Sequence, residues 1–141
     1  MKRIKNPLIV GVLSAAAVLT FAGTYLFTKR PQENKNTTSI VIEGKKYTVL
    51  TARNPAEWAR GLMYVRTLAH ADGMAFYFPG KKTQKFWNMN TYMDLEIIWM
   101  DGNRVVGRSQ LPSIEKSKDV VYVESPEPVD VVVELVNSYH K

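Results

Sequence analysis

The pattern of hydrophobic and polar residues divides the chain into an apolar N-terminal segment and a longer alternating region. Residues 7–27 contain no charged residue, whereas short apolar runs separated by polar turns follow from residue 39. A helix over residues 7–27 would be about 31 Å long, enough to cross a hydrocarbon core of about 30 Å. The pattern therefore predicts a membrane anchor or signal peptide over residues 1–30, a polar tether over residues 31–38 and a folded domain over residues 39–141.

The charges beside the apolar segment bear on its orientation. Lys2, Arg3 and Lys5 precede it, and basic residues next to a membrane span favour the cytoplasmic side. Lys29 and Arg30 follow it, which weakens this preference without reversing it. A cleaved signal peptide is the alternative, with residues 20–22 as the cleavage region, but the apolar run continues to residue 27 and favours the anchor. Either way, we expect the domain outside the cytoplasm, held at the cell membrane through residues 7–27 or secreted.

Beyond the tether, β-branched and aromatic runs between turn-forming residues predict strands. Seven are expected, and a hairpin joins the first two through residues 43–46. Asn54-Pro55-Ala56-Glu57 has the residues of a helix start, with Asn54 as the cap. The pattern predicts a mainly β fold, an antiparallel β-sandwich or jelly-roll-like flattened barrel with one short helix. The predicted strands are residues 40–42, 47–50, 73–78, 95–100, 104–107, 120–123 and 129–136.

The strand over residues 95–100 is apolar on both faces. Leu95, Ile97 and Trp99 point to one face by period-2 alternation, so the intervening Glu96 lies among apolar neighbours on the other. A carboxylate in such a place is costly without a partner. We expect Glu96 to form a structural ion pair with Arg60.

Aromatic and polar residues alternate just before this strand. Trp87 and Tyr92 flank a polar stretch that includes Asn90, and aromatic side chains supply large contact areas in binding sites. The first hypothesis for function is therefore a binding module of the cell envelope. In this hypothesis, Trp87, Asn90 and Tyr92, near Arg60 and Glu96, contact an envelope glycan, peptide or protein partner.

A hydrolase is the alternative hypothesis. Asp94 and Glu96 are two positions apart, so on a strand they would share a face about 7 Å apart. Two carboxyl groups at about this separation can act as acid and base in glycoside hydrolysis. The substrates in this hypothesis are envelope polymers or glycans.

Several other classes of function lack the residues that they need. The chain contains no cysteine, which excludes disulfides and thiolate metal sites, and His70 and His140 lack metal-ligand spacing. No glycine-rich phosphate loop is present, so no metal or cofactor is expected. Residues 1–30 hold five of the 19 basic residues and no acidic one, leaving 14 basic and 13 acidic residues. This near balance predicts no nucleic-acid partner.

Three motifs, in this order and spacing, resemble the domain of unknown function 192 family. They are Arg60-Gly61-Leu62-Met63, Gly73-Met74-Ala75-Phe76-Tyr77-Phe78 and Phe86-Trp87-Asn88-Met89-Asn90-Thr91. The resemblance extends over about residues 39–136 and includes Val132-Val133-Glu134-Leu135 near the end. It implies a β-rich, jelly-roll-like fold and frequent export or membrane anchoring, and it implies no established activity.

The chain departs from the family pattern at specific positions. Asn88-Met89 replaces the usual Met-Lys, Asp94 replaces a proline, and Glu96 replaces an aspartate. Any role of the family lysine is therefore missing from this chain.

Overall fold

The computed structural model describes residues 37–137. The predicted anchor over residues 7–27 and most of the predicted tether lie outside the described residues. Within residues 37–137, no helix is long and apolar enough to cross a membrane. The tether was predicted to extend to residue 38, but Thr37 and Thr38 already belong to the first strand.

The described part of the chain forms eight strands and two short helices. The strands are β1 (Thr37–Ile42), β2 (Lys45–Ala52), β3 (Gly73–Lys82), β4 (Lys85–Trp87), β5 (Leu95–Asp101), β6 (Arg104–Leu111), β7 (Tyr122–Glu124) and β8 (Val129–Val136). The helices are α1 (Pro55–Arg60) and α2 (Ile114–Ser117). The prediction of a mainly β fold is confirmed.

Six strands form one mixed sheet in the order β1-β2-β3-β8-β5-β6, curled into a half-barrel, and β4 pairs with β7 in a separate ribbon. The prediction that all strands run antiparallel is wrong for β2 and β3, which pair in parallel. A parallel pair needs a crossover connection, and residues 53–72, which include α1, provide it. The predicted sandwich of two antiparallel sheets is therefore replaced by one large sheet and a small ribbon.

The central strands β5 and β8 are buried on both faces, as predicted for β5. Leu95, Ile97 and Trp99 belong to one apolar cluster, whereas Ile98 and Met100 belong to a second. We call the face of the large sheet that carries the first cluster the cleft face, and the other the opposite face. The two-sided burial arises because β4, β7 and α1 cover the cleft face, where side chains such as Phe86 and Trp58 pack on the first cluster.

The helix predicted from Asn54 is confirmed. The Asn54 side chain accepts a hydrogen bond of 3.0 Å from the Glu57 N–H, and Pro55 occupies the first helical turn. A second helix, α2, lies between the strands predicted over residues 104–107 and 120–123, where the sequence pattern predicted no helix. Its single turn begins after Ser113, whose hydroxyl accepts from the Lys116 N–H.

Candidate functional site

A cleft of about 290 Å³ lies on the cleft face, beside α1, β3 and β4. Its apolar walls come from three separate parts of the chain, and its rim is polar. The lining residues are Trp58, Ala59, Arg60, Gly61, Leu62, Met63, Phe76, Phe78, Gln84, Lys85, Phe86, Trp87, Thr91 and Glu134. Apolar clefts with a few polar groups are the usual form of small-molecule sites.

Glu134 lies at the floor of this cleft, in the central strand β8. It pairs in register with Met74 of β3 and Ile97 of β5, so apolar side chains of the cleft face flank it on both sides. The residue is 5% exposed, and its Oε2 has no hydrogen-bond partner. Burial raises the pKa of Glu134 from its ordinary 4.5 to about 8. An unpartnered buried carboxyl beside a cleft is the kind of group that functional sites retain.

The turn after α1 brings the backbone close to Glu134. Gly61 has φ 47° and ψ −133°, and the Met63 N–H donates to the Arg60 carbonyl at 3.0 Å. This is the geometry of a type II′ turn, whose first central position favours glycine. A Cβ on Gly61 would lie 3.3 Å from the Phe76 ring and 3.9 Å from the Glu134 Oε2. The glycine therefore allows both the turn and the close packing of the Phe76 ring, whereas a Cβ would make only an ordinary contact with the carboxyl group.

Aromatic rings that pack edge to face or tilted form the walls. Phe76 and Phe86 have ring centroids 4.9 Å apart at an interplanar angle of 88°, and Trp58 lies 5.1 Å from Phe78. Phe86 also contacts Trp99 of the core at 5.7 Å. The Trp58 Nε1 donates to the Ala52 carbonyl at 3.2 Å, which fixes the indole. The walls are thus held by the core rather than by a ligand.

The rim of the cleft carries positive charge. Arg60 and Lys85 are both exposed, and the Lys85 Nζ lies 4.7 Å from the centroid of the Tyr122 ring. Trp87, which is 43% exposed, packs against the same Tyr122 ring, with 6.0 Å between the two ring centroids. In residues 37–137, no ion pair within 4 Å joins Glu134 to a cation.

Two of the residues predicted to bind a ligand, Arg60 and Trp87, line this cleft together. The other two in the predicted loop are engaged elsewhere. The Asn90 Nδ2 donates to the Tyr64 hydroxyl at 2.9 Å, and the Tyr64 N–H donates to the Asn90 carbonyl. Tyr92 lies under the Arg66 guanidinium, 4.1 Å from its ring centroid. The structure thus separates the predicted binding set into cleft residues and loop-stabilising residues.

The predicted ion pair between Arg60 and Glu96 is wrong. Glu96 accepts from the Arg108 Nη1 at 3.0 Å, and the same guanidinium donates to Glu43 at 2.6 Å. Glu96 pairs in register with Leu135, which belongs to the apolar cluster of the opposite face, whereas Arg60 lines the cleft. Glu96 does pair with an arginine, as we expected from the cost of burying an unpaired carboxylate, but the partner comes from the adjacent strand β6.

The two acids of the hydrolase hypothesis have different partners. The Asp94 Oδ1 accepts from the Ser113 N–H at 2.7 Å, and its Oδ2 pairs with the Lys116 Nζ at 3.1 Å. The hydrogen bond from Ser113 lowers the pKa of Asp94, and Lys116 acts in the same direction. Asp94 therefore organises the start of α2, whereas Glu96 belongs to the ion pairs of the opposite face. Neither acid lines the cleft.

Replacement of Asp94 by alanine is expected to destabilise the domain by about 1–3 kcal/mol at neutral pH, because the Ser113 N–H loses its acceptor. In the native protein, the contribution of Asp94 is present above its ordinary pKa of 3.8 and is lost as the pH falls below it. Urea denaturation at neutral and acidic pH measures both effects. The control is Asp119→Ala, an exposed acid in the loop that follows α2, which should change stability little. Equal losses for the two variants would contradict this role of Asp94.

Asn88 holds the end of β4 in place, a structural role that the sequence pattern did not predict. Its side chain is fully buried, and its Nδ2 donates to the Pro112 carbonyl and the Ser117 hydroxyl at 2.9 and 2.8 Å. Its Oδ1 accepts from the Val121 N–H at 2.8 Å. These bonds tie the end of β4 to the loops around α2, and so place the neighbouring Trp87 at the cleft.

Sequence reasoning also missed Glu134, although a signal was present. Residues 131–136 read Val-Val-Val-Glu-Leu-Val, a lone acid in a strand that is apolar on both faces. Glu96 has the polar Asp94 two positions away on its own face, whereas Glu134 has Val132 and Val136 at the corresponding positions. The alternation therefore predicts burial of Glu134 even more strongly than burial of Glu96. Neither Glu96 nor Glu134 has a lysine or arginine close to it in the sequence. The sequence therefore does not indicate that Glu96 has a partner and that Glu134 has none.

Metal binding receives no support from the described residues. Within residues 37–137, no three His, Cys, Asp or Glu side chains lie close enough together to hold a metal ion. His70 is exposed, and His140 lies outside the described residues.

Two solved structures share this fold. A candidate transcription regulator from Sinorhizobium meliloti is 27% identical, with a TM-score of 0.58, over 70% of this chain and 77% of that chain. A protein of unknown function from Novosphingobium aromaticivorans is 23% identical, with a TM-score of 0.63, over 77% of this chain and 79% of that chain. No curated protein matches the chain.

The family comparison agrees with the motifs in the sequence. The model of DUF192, described as an uncharacterised ACR, matches residues 38–140, which include the Gly61 turn, β3, β5 and Glu134. This match confirms the resemblance inferred from the three motifs. The chain belongs to the uncharacterised DUF192 family.

Proposed function

We propose that the domain is a binding module and that the cleft above Glu134 holds a small ligand. The observation that carries this proposal is the Glu134 carboxyl, which is buried at the floor of the cleft with its Oε2 unpartnered. Leaving a buried polar atom unsatisfied costs about 1–3 kcal/mol, and a ligand that bonds to it recovers this energy. Arg60 and Trp87 remain in the proposed site, and Glu134 joins them.

The composition of the cleft supports binding over catalysis. Glu134 is the sole acid among the described lining residues, so the cleft lacks the second carboxyl group of a glycosidase. The described lining also contains no histidine, serine or cysteine that could act as base or nucleophile. For Asp94 and Glu96, the contacts are those of structural ion pairs, and they do not favour the hydrolase alternative.

The proposed place of action is the outer side of the cell membrane. The apolar residues 7–27 and the basic residues before them support an anchored domain outside the cytoplasm. Protease added to intact spheroplasts should digest the domain while a cytoplasmic marker survives. Protection of the domain until the membrane is lysed would contradict this location.

Binding in the cleft is expected to depend on Trp87 and Arg60. A small-molecule extract is incubated with the full-length protein, the protein is separated by gel filtration, and retained compounds are identified by mass spectrometry. Trp87→Ala should reduce retention at least tenfold, because a half-exposed aromatic wall is lost. Arg60→Gln should reduce retention of anionic compounds, because it removes a rim charge.

Two matched variants control for general effects of these changes. Met89→Ala replaces another partly exposed apolar residue close to Trp87, and Arg66→Gln removes an exposed arginine; neither residue lines the cleft. Both variants should retain what the wild-type protein retains. If the wild-type protein retains no compound that Trp87→Ala releases, the proposed binding function is wrong.

A further inference from the structure

Resting on the binding function proposed above, we propose that the cleft takes a small zwitterion. Its ammonium group contacts Glu134 at the floor, and its anionic group lies outward near Arg60 and Lys85 at the rim. The inference rests on the order of charges through the cleft, with an acid at the buried end and two cations at the open end.

When Glu134 is ionised, the floor needs a hydrogen-bond donor and a positive charge at the same place. Glu134 Oε2 has no partner, and the in-register neighbours Met74 and Ile97 offer neither a donor nor a charge. An ammonium group supplies both, whereas a neutral hydroxyl supplies the hydrogen bond alone.

The rim disfavours a ligand that is only cationic. Arg60 and Lys85 are exposed at the open end, so a simple amine would meet two like charges on its way in. A carboxylate or phosphate at the outer end of the ligand turns this repulsion into attraction. The volume of about 290 Å³ limits the ligand to the size of an amino acid or a phospholipid headgroup.

This mode of binding predicts a particular dependence on pH. The charged groups that face Glu134 across the cleft are Arg60 from α1 and Lys85 from β4, while β3 and β5 contribute the apolar Met74 and Ile97. Because burial raises the pKa of Glu134 to about 8, the carboxyl group must lose its proton when the ammonium binds. Affinity should therefore rise about tenfold from pH 6 to pH 7 and level off above pH 8. A ligand that accepts the Glu134 proton as a hydrogen bond would show constant affinity below pH 8 and weaker binding above it.

Three probes with one aromatic body separate these contributions. Phenylalanine carries both charges, phenethylamine lacks the carboxylate, and 3-phenylpropanoate lacks the ammonium. Glycerophosphoethanolamine tests whether the same charges come from a lipid headgroup instead of an amino acid. Binding to the full-length protein is followed at pH 6, 7 and 8 through the fluorescence of Trp58 and Trp87, which line the cleft.

We expect at least one of the two zwitterions, phenylalanine or glycerophosphoethanolamine, to bind with the pH profile above. If the zwitterion that binds is phenylalanine, 3-phenylpropanoate should bind at least tenfold more weakly. Glu134→Gln should remove the pH dependence and at least nine-tenths of the zwitterion affinity. Arg60→Gln should weaken zwitterions several-fold without weakening phenethylamine, and Arg66→Gln should change neither.

Three results would overturn the inference, and they differ in what they say about the binding function. If compounds are retained in a Trp87-dependent way but neither zwitterion binds, the cleft is a binding site and the ligand class is wrong. If zwitterions bind equally well to Glu134→Gln, the ammonium does not contact the floor. Retention of no compound by the wild-type protein would remove the binding function and this inference together.

Discussion

The Gly73→Ala variant is expected to lose the folded domain, with a destabilisation above about 4 kcal/mol. A Cβ on Gly73 would lie 1.8 Å from the Glu134 carbonyl oxygen and 3.0 Å from the Leu135 Cα. These are backbone atoms of the central strand β8, so no side chain can rotate away to make room. Urea denaturation followed by tryptophan fluorescence measures the loss, because Trp99 lies in the core.

Gly80→Ala is the matched control, in the same strand. A Cβ on Gly80 would have no heavy atom within 4 Å, so this variant should unfold within about 0.5 kcal/mol of the wild-type protein. A Gly73→Ala protein with nearly normal stability would show that β3 and β8 do not approach as closely as described. The glycine thus allows the strand contact that also places Glu134 under the cleft.

The second large effect is a change in how stability depends on pH. The pKa of Glu134 is about 8 in the folded protein and 4.5 ordinarily, so the folded state holds a proton that the unfolded state releases between these values. Stability from this group is full below about pH 4.5 and falls as the pH rises, by about 3 kcal/mol at pH 7 and about 5 kcal/mol above pH 8. Glu134→Gln has the shape of the neutral acid and cannot ionise, so it should lack this loss.

The measurement is a pair of urea denaturation series at pH 5, 7 and 9. The two proteins should be similar at pH 5, and the Glu134→Gln variant should be the more stable at pH 7 and pH 9. Glu96→Gln is the control, because Glu96 pairs with Arg108 and its loss should lower the stability instead. A wild-type protein whose stability does not fall between pH 5 and pH 9 would contradict the burial of Glu134. The cost of this buried acid is a reason to expect a function for it.

Glu96 and Glu134, the two acids in apolar strands, show which contacts the residue pattern can predict and which it cannot. Alternation along β5 correctly predicted that Glu96 lies between two buried faces and needs an arginine. It could not identify which arginine, because Arg108 becomes a neighbour only through the pairing of β5 with β6, in which Arg108 lies opposite Ile98. For Glu134 the same alternation predicts burial. The absence of a partner depends on which side chains the neighbouring strands β3 and β5 place beside it.

The parallel pairing of β2 with β3 was missed for a similar reason. Each strand was recognised by its own residues, and the helix between them was recognised by its cap at Asn54. Nothing in either strand records the direction of its neighbour. That direction follows from the path of residues 53–72, which also carries Gly61 and Arg60 to the cleft.

The sequence alone determined the local features of this protein: a mainly β fold, the boundaries of β8, the α1 cap and the two-sided burial of β5, because each depends on residues close together in the chain. The tertiary structure alone decided that Arg60 and Trp87 share a cleft with Glu134, and that Glu96 pairs with Arg108. These contacts join residues that are distant in the chain. Their formation depends on sheet register and on the crossover between β2 and β3, to which many residues contribute at once.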